Sequence, residues 1–172
     1  MDTKQGRQNE LYLQAAAEFG PALVRLARAY ESDGDRRGDL LQDIHFALWR
    51  SFAGFSGQCS LRTWVYRVAH NAAISERFRR RRTTMVSLEE ICDMPALDDV
   101  ESKAGDLHAL ERLRTLIRRL KPPDDQVMLL YLEDADAWTI GEITGLSPRA
   151  VATRIHRLKS LLAGQFHDRT NV

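Results

Sequence analysis

Cysteine is scarce in this chain, long apolar runs are missing, and no stretch alternates in the manner of a strand. The two cysteines, Cys59 and Cys92, stand far apart and in no C-x-x-C pattern. That argues against a disulfide framework and leaves a pair of reduced thiols. The five histidines sit at no recognised ligand spacing to another His, Cys or carboxylate, so no metal site and no cofactor is expected. No apolar run approaches the ~20 residues needed to cross a bilayer. The polar stretch Met1 to Glu10 lacks the apolar core of a signal peptide, and a cytoplasmic location follows as the expectation. No glycine-rich loop suited to cradling phosphate appears, and the carboxylates form no pair placed for metal-assisted hydrolysis. We therefore expect no catalytic residue, no enzymatic activity and no small-molecule substrate.

What is present is ordinary globular material, 44% hydrophobic and 28% charged, with a formal net charge of +1. That total conceals segregation. Residues 1–61 sum to −1, 62–82 to +6, 83–106 to −6 and 107–172 to +2. A basic block beside an acidic block is not the pattern of a uniformly solvated surface.

Apolar residues recur at three- and four-residue spacing, which predicts an all-α fold. A first helix is expected over about Asn9 to Phe19 and a second from Pro21 to Tyr30, separated at Gly20-Pro21. Ser32 to Gly38 reads as a loop. Asp39 is placed to cap a helix reaching Ser51, with Leu41, Ile44, Leu48 and Phe52 inward. After a glycine-spaced loop from Ala53 to Ser60, a long helix runs from Leu61 to about Arg82, with Leu61, Trp64, Val65, Val68 and Ala72 on one face. Residues 83–106 hold seven acidic residues, one lysine and Pro95 without a sustained stripe, the composition of an acidic linker. The expected organisation is two small helical domains, 1–82 and 107–172, joined by that linker. The second begins with a helix stopped at Pro122-Pro123 and another that starts at Asp124.

The carboxy-terminal end carries the clearest motif. Thr139-Ile-Gly-Glu142 reads as a capping box opening a short helix. Gly145 closes it at a place suited to positive φ, and Ser147-Pro148 restarts a helix as cap and first-turn proline. Val151, Ile155, Leu158 and Leu162 form the buried face of that second helix. Arg149, Thr153, His156, Arg157 and Ser160 lie opposite, and no acidic residue occurs between Ser147 and His167. A short helix, a glycine turn and a basic second helix fit a helix-turn-helix that enters the major groove.

A second nucleic-acid surface is expected on the helix from Leu61. Opposite its core face stand Arg67, Asn71, Ile74 and Phe78, followed by Arg77 and Arg79 to Arg82. Arginines grip phosphate, asparagine reads base edges and apolar or aromatic groups stack on unpaired bases. The preceding loop, Phe55 to Leu61, is short, polar and rimmed by aromatics, a composition that could accept an extruded base.

Two segments carry a family resemblance. Asp39-Leu-Leu-Gln-Asp-Ile-His-Phe-Ala-Leu-Trp49 and Arg62-Thr-Trp-Val-Tyr-Arg-Val-Ala-His-Asn71 resemble region 2 of extracytoplasmic-function (ECF) RNA polymerase sigma factors. Ile143-Thr-Gly-Leu-Ser-Pro-Arg-Ala-Val-Ala-Thr-Arg-Ile-His-Arg157 resembles their region 4. The resemblance implies that Asp39, Gln42, Asp43 and Phe46 bind the clamp helices of core RNA polymerase. It implies that Ser56, Gly57, Gln58, Cys59 and Ser60 hold a flipped base of the −10 element, with Arg67, Asn71, Ile74, Arg77 and Phe78 completing that surface. Arg149, Ala152, Thr153, His156 and Arg157 would read the −35 element. Promoter DNA, core polymerase and an anti-sigma factor are the partners so implied. The chain departs from the pattern at His45, where an apolar or small residue is usual, at Asp43 for glutamate and at Gly141 for alanine.

Two other readings compete. A helix-turn-helix regulator that never joins polymerase explains residues 139–163 equally well, but not a second basic helix with Phe78 nor an acidic linker. A nucleic-acid hydrolase lacks the required carboxylate pair.

Overall fold

The computed structural model describes residues 2–84 and 105–167. Those residues form seven α-helices and no strand: α1 (Asp2–Tyr30), α2 (Gly34–Ser51), α3 (Leu61–Thr84), α4 (Gly105–Arg119), α5 (Asp124–Leu132), α6 (Ala137–Thr144) and α7 (Pro148–His167). A single 3-10 turn, Phe52–Gly54, follows α2. The acidic stretch and Cys92 lie almost wholly outside the described residues.

Helices α1, α2 and α3 pack together around Leu23, Ile44, Leu48 and Val65, all essentially inaccessible, with Phe19, Phe52 and Ala69 beside them. Burying each large aliphatic side chain contributes about 1.5–3 kcal/mol. Ile117, Val127, Leu130, Ile140, Val151 and Leu158 on helices α4 to α7 continue the same buried core. His70 is buried beside α1, its Nδ1 2.9 Å from the Tyr30 hydroxyl. Burial lowers its pKa to about 3, so the ring is neutral.

Helix α1 begins at Asp2 rather than near Asn9, and three further boundaries differ from expectation. Helix α1 runs unbroken through Gly20-Pro21, with Pro21 inside it. Ala15, Phe19, Ala22, Leu23, Leu26 and Ala27 form one buried stripe spanning the proline, and that packing outweighs the lost backbone hydrogen bond. Helix α2 begins before Asp39. Asp33 is its N-cap, accepting the Arg36 backbone N–H at 3.0 Å, so Gly34 to Gly38 are helical rather than loop. The first buried residue of α2 is Leu40, with Leu41 only partly covered.

At α6 the cap is Asp136, whose carboxylate accepts the Thr139 backbone N–H at 2.7 Å. Thr139 therefore lies one turn inside the helix and is not the start of a capping box. The remaining turn chemistry is as read: Gly145 adopts φ 78°, and Ser147 Oγ accepts the Ala150 N–H at 3.2 Å. Gly141 faces the loop so closely that a Cβ there would lie 2.6 Å from the Leu146 carbonyl oxygen. Its lack of a side chain is what lets α6 and α7 approach.

Candidate nucleic-acid interface

On α7, Arg149, Ala152, Thr153, His156 and Arg157 are all exposed along one stripe, while Val151, Leu158 and Leu162 face the core. The stripe borders an open concavity of about 460 Å³ that Ser147, Ala150 and Arg154 also line. Asp124, at the start of α5, was read from sequence only as a helix opening. Its carboxylate joins the Arg154 guanidinium through Oδ1 and accepts Arg157 Nη2 at 2.6 Å through Oδ2. This pins one edge of Arg157 while the side chain stays 58% exposed. A guanidinium has five donors, so the other edge remains available for a base or phosphate.

The loop between the 3-10 turn and α3 rests on an aromatic floor. The Phe55 and Trp64 ring centres are 5.2 Å apart, Phe52 meets Phe55 edge-on at 6.0 Å, and Trp64 donates its indole N–H to Ser51 Oγ at 2.9 Å. Above it, Gly57 takes φ 82°, a left-handed conformation that suits glycine. The Gln58 side-chain oxygen Oε1 accepts both the backbone N–H and the hydroxyl of Ser56, at 2.8 and 3.0 Å. Ser60 caps α3 by accepting the Thr63 N–H at 3.0 Å. Cys59 is a half-buried free thiol, while Ser56, Gly57, Gln58 and Ser60 are exposed.

Helix α3 presents Asn71 and Phe78 to solvent, with Phe78 52% exposed and Ile74 partly so. Its arginines are another matter. Arg67 donates from Nη2 to the Glu142 backbone carbonyl of α6 at 2.7 Å. Arg77 lies 2.7 Å from the carboxylate of Asp125 in α5 and stacks over the Tyr30 ring, leaving its side chain 18% exposed. Of the residues expected on a second nucleic-acid surface, Asn71 and Phe78 are therefore exposed, whereas Arg67 and Arg77 are engaged by α6 and α5. Sequence reading missed Asp125 and Glu142 as their partners, because nothing local in either segment signals a contact with α3.

On α2, Asp39, Gln42, Asp43 and Phe46 are exposed on a common face. Phe46 stacks at 6.3 Å on Trp49 and lies under the Arg50 guanidinium, 5.7 Å from its ring centre. Those contacts hold an apolar ring outward beside two carboxylates. His45, a departure from the family pattern, is half-buried and hydrogen-bonded through Nδ1 to the Tyr12 hydroxyl at 3.1 Å; burial lowers its pKa. It is a packing residue in this fold.

Residues 16–83 match the family described as Sigma-70 region 2, and residues 110–162 the family described as Sigma-70, region 4. The chain belongs to the ECF group of sigma-70 factors. Among its relatives is the RNA polymerase sigma factor YlaC of Bacillus subtilis, 30% identical over 153 residues that cover 87% of this chain and 86% of that protein. The ECF sigma factor SigG of Mycobacterium tuberculosis is 27% identical across 80% of this chain, which spans only 44% of SigG's length. In fold, the sigma factor resembles CnrH, solved in complex with the cytosolic domain of CnrY. The TM-score is 0.68 at 19% identity, over 98% of this chain and 99% of that one. Among the described residues no helix is long and apolar enough to cross a membrane.

Proposed function

We propose that the chain binds core RNA polymerase and directs promoter-specific transcription initiation, with residues 1–82 engaging the −10 element and 107–172 the −35 element. The observation that carries this reading is the pairing of two separate candidate nucleic-acid surfaces in the region 2–region 4 order. One is the α7 stripe from Arg149 to Arg157, and the other is the loop and α3 face from Ser56 to Phe78. A dimeric helix-turn-helix regulator would use the first and leave the second without a role.

In this reading, Asp39, Gln42, Asp43 and Phe46 dock on the polymerase clamp, where exposed carboxylates and a braced aromatic suit a basic, grooved partner. The aromatic-floored loop takes an unstacked base on Ser56 to Ser60, and Asn71 and Phe78 lie beside the separated strand. The acidic linker follows the polymerase channel that nucleic acid otherwise occupies.

A protein partner of the anti-sigma kind is the fourth participant. Between the two domains lies an apolar cleft of about 270 Å³ lined by Leu26, Ala29, Leu113, Ile117 and Leu132, where a partner segment would touch both. The function is tested by run-off transcription with core polymerase. Initiation that depends on this chain and on defined −35 and −10 sequences is the expected result, and its absence would favour the regulator.

A further inference from the structure

Helix α7 carries no acidic residue, yet a carboxylate stands at the edge of its exposed stripe, supplied by another helix. Asp124 lies in the first turn of α5, where the helix dipole favours a negative charge. Its Oδ1 meets the Arg154 guanidinium and its Oδ2 accepts Arg157 Nη2 at 2.6 Å. Arg154 and Arg157 are three residues apart, hence neighbours on the α7 surface, and one carboxylate clasps both. The three side chains differ in exposure. Asp124 is 19% exposed and Arg154 34%, so they form the inner part of the cluster, with Arg157 as its outer edge.

We infer that Asp124 is a positioning residue for −35 recognition, orienting Arg157 towards a base edge and holding it back from the phosphate backbone. This rests on the reading of α7 as the −35 surface.

Two physical arguments carry it. Immobilising a long, exposed side chain on binding costs entropy, and a guanidinium already held by a carboxylate meets the DNA ordered. The carboxylate also cancels local charge. Phosphate attraction depends on uncancelled charge, whereas base reading depends on the direction of the donors. A surface built only to hold phosphate gains nothing from Asp124, while one that reads a base gains a fixed donor direction. Thr153, on the same stripe, gives its hydroxyl hydrogen to the Arg149 carbonyl at 3.0 Å and is not a competing donor there.

The cluster is not needed to seat α7. Val127 and Leu130 of α5 and Val151 and Leu158 of α7 are buried where the two helices pack. Further along the same seam, Lys159 Nζ lies 5.5 Å from the centre of the Tyr131 ring. Ion pairs this open to solvent add little stability. Asp124→Asn, which keeps the shape and removes the charge, therefore tests orientation rather than folding.

The experiment uses holoenzyme assembled from the full chain and core polymerase. Promoters selected by the wild type from a randomised −35 library compete against their single-base −35 variants. Asp124→Asn should lose about fivefold in discrimination at the position where Arg157→Ala also loses it, the lower end of what one good base contact supplies. The salt dependence of its promoter binding should steepen by about one unit of slope as Arg157 turns to the backbone. Asp124→Glu, which keeps the carboxylate, should retain more discrimination than Asp124→Asn. In an Arg157→Ala background, Asp124→Asn should change discrimination no further, because its effect passes through Arg157. Discrimination and salt slope equal to wild type in Asp124→Asn would overturn the inference while leaving α7 as the −35 reader. An equal loss with Arg157 already removed would overturn it too, by placing the effect in the α5–α7 seam. Wild-type holoenzyme with no preference at any −35 position would overturn the reading of α7, and the inference with it.

Discussion

At His70 burial and titration meet in one side chain. In the unfolded chain its imidazole takes a proton near pH 6.5, whereas in the fold it does so only at about 3. The folded pKa is depressed, so this group's contribution to stability is fully present above about 6.5 and is lost as the pH falls towards 3. Denaturant midpoints measured across that window should decline with acid, and His70→Gln should flatten the decline. A slope that survives the substitution would place its origin elsewhere. Asp33 and Asp136 behave alike at a lower pH: the backbone N–H groups they cap hold their carboxyls below the ordinary 3.8, so their support is lost only as the pH falls past that value. Gly141 makes a steric prediction. Gly141→Ala should cost about 1–3 kcal/mol, the range for overpacking a tight contact, because the Leu146 carbonyl stands where the methyl would go. A thermal midpoint equal to wild type would mean that the turn relaxes freely.

Among the elements, α3 and α7 were legible because their signals are local. The apolar period, the Ser147-Pro148 restart and the left-handed Gly145 are all written within a few residues. The starts of α2 and α6 were misplaced because the residues that make the cap hydrogen bonds, Asp33 and Asp136, lie upstream of Asp39 and Thr139, the positions expected to cap them. Unbroken α1 was hidden for a different reason: its continuity past Pro21 depends on packing with α2 and α3, which local preference does not encode. On α7, Arg157→Ala should reduce −35 discrimination by about 1–3 kcal/mol if Arg157 reads a base, measured by competition between promoter variants. A loss uniform across sequences would mark a phosphate contact. On α2, Asp39→Arg with Asp43→Arg should weaken polymerase binding with helical content unchanged; equal affinity would remove that face from the account.

For the whole molecule, the informative feature is the contact between its halves. Region 2 and region 4 could each be traced in the chain, yet their docking could not, since Arg25 and Glu133, or Arg77 and Asp125, are distant in sequence and ordinary in local context. The same docking engages Arg62, Arg67 and Arg77 of α3. The proposed function gives both halves a promoter element to read, whereas a repressor would use α7 alone. The most direct measurement is therefore run-off transcription with core polymerase over a library of promoters. The account predicts transcripts that require this chain and select paired −35 and −10 sequences at a fixed spacing. Sequence-specific DNA binding by the chain alone, with no initiation when polymerase is supplied, would contradict it.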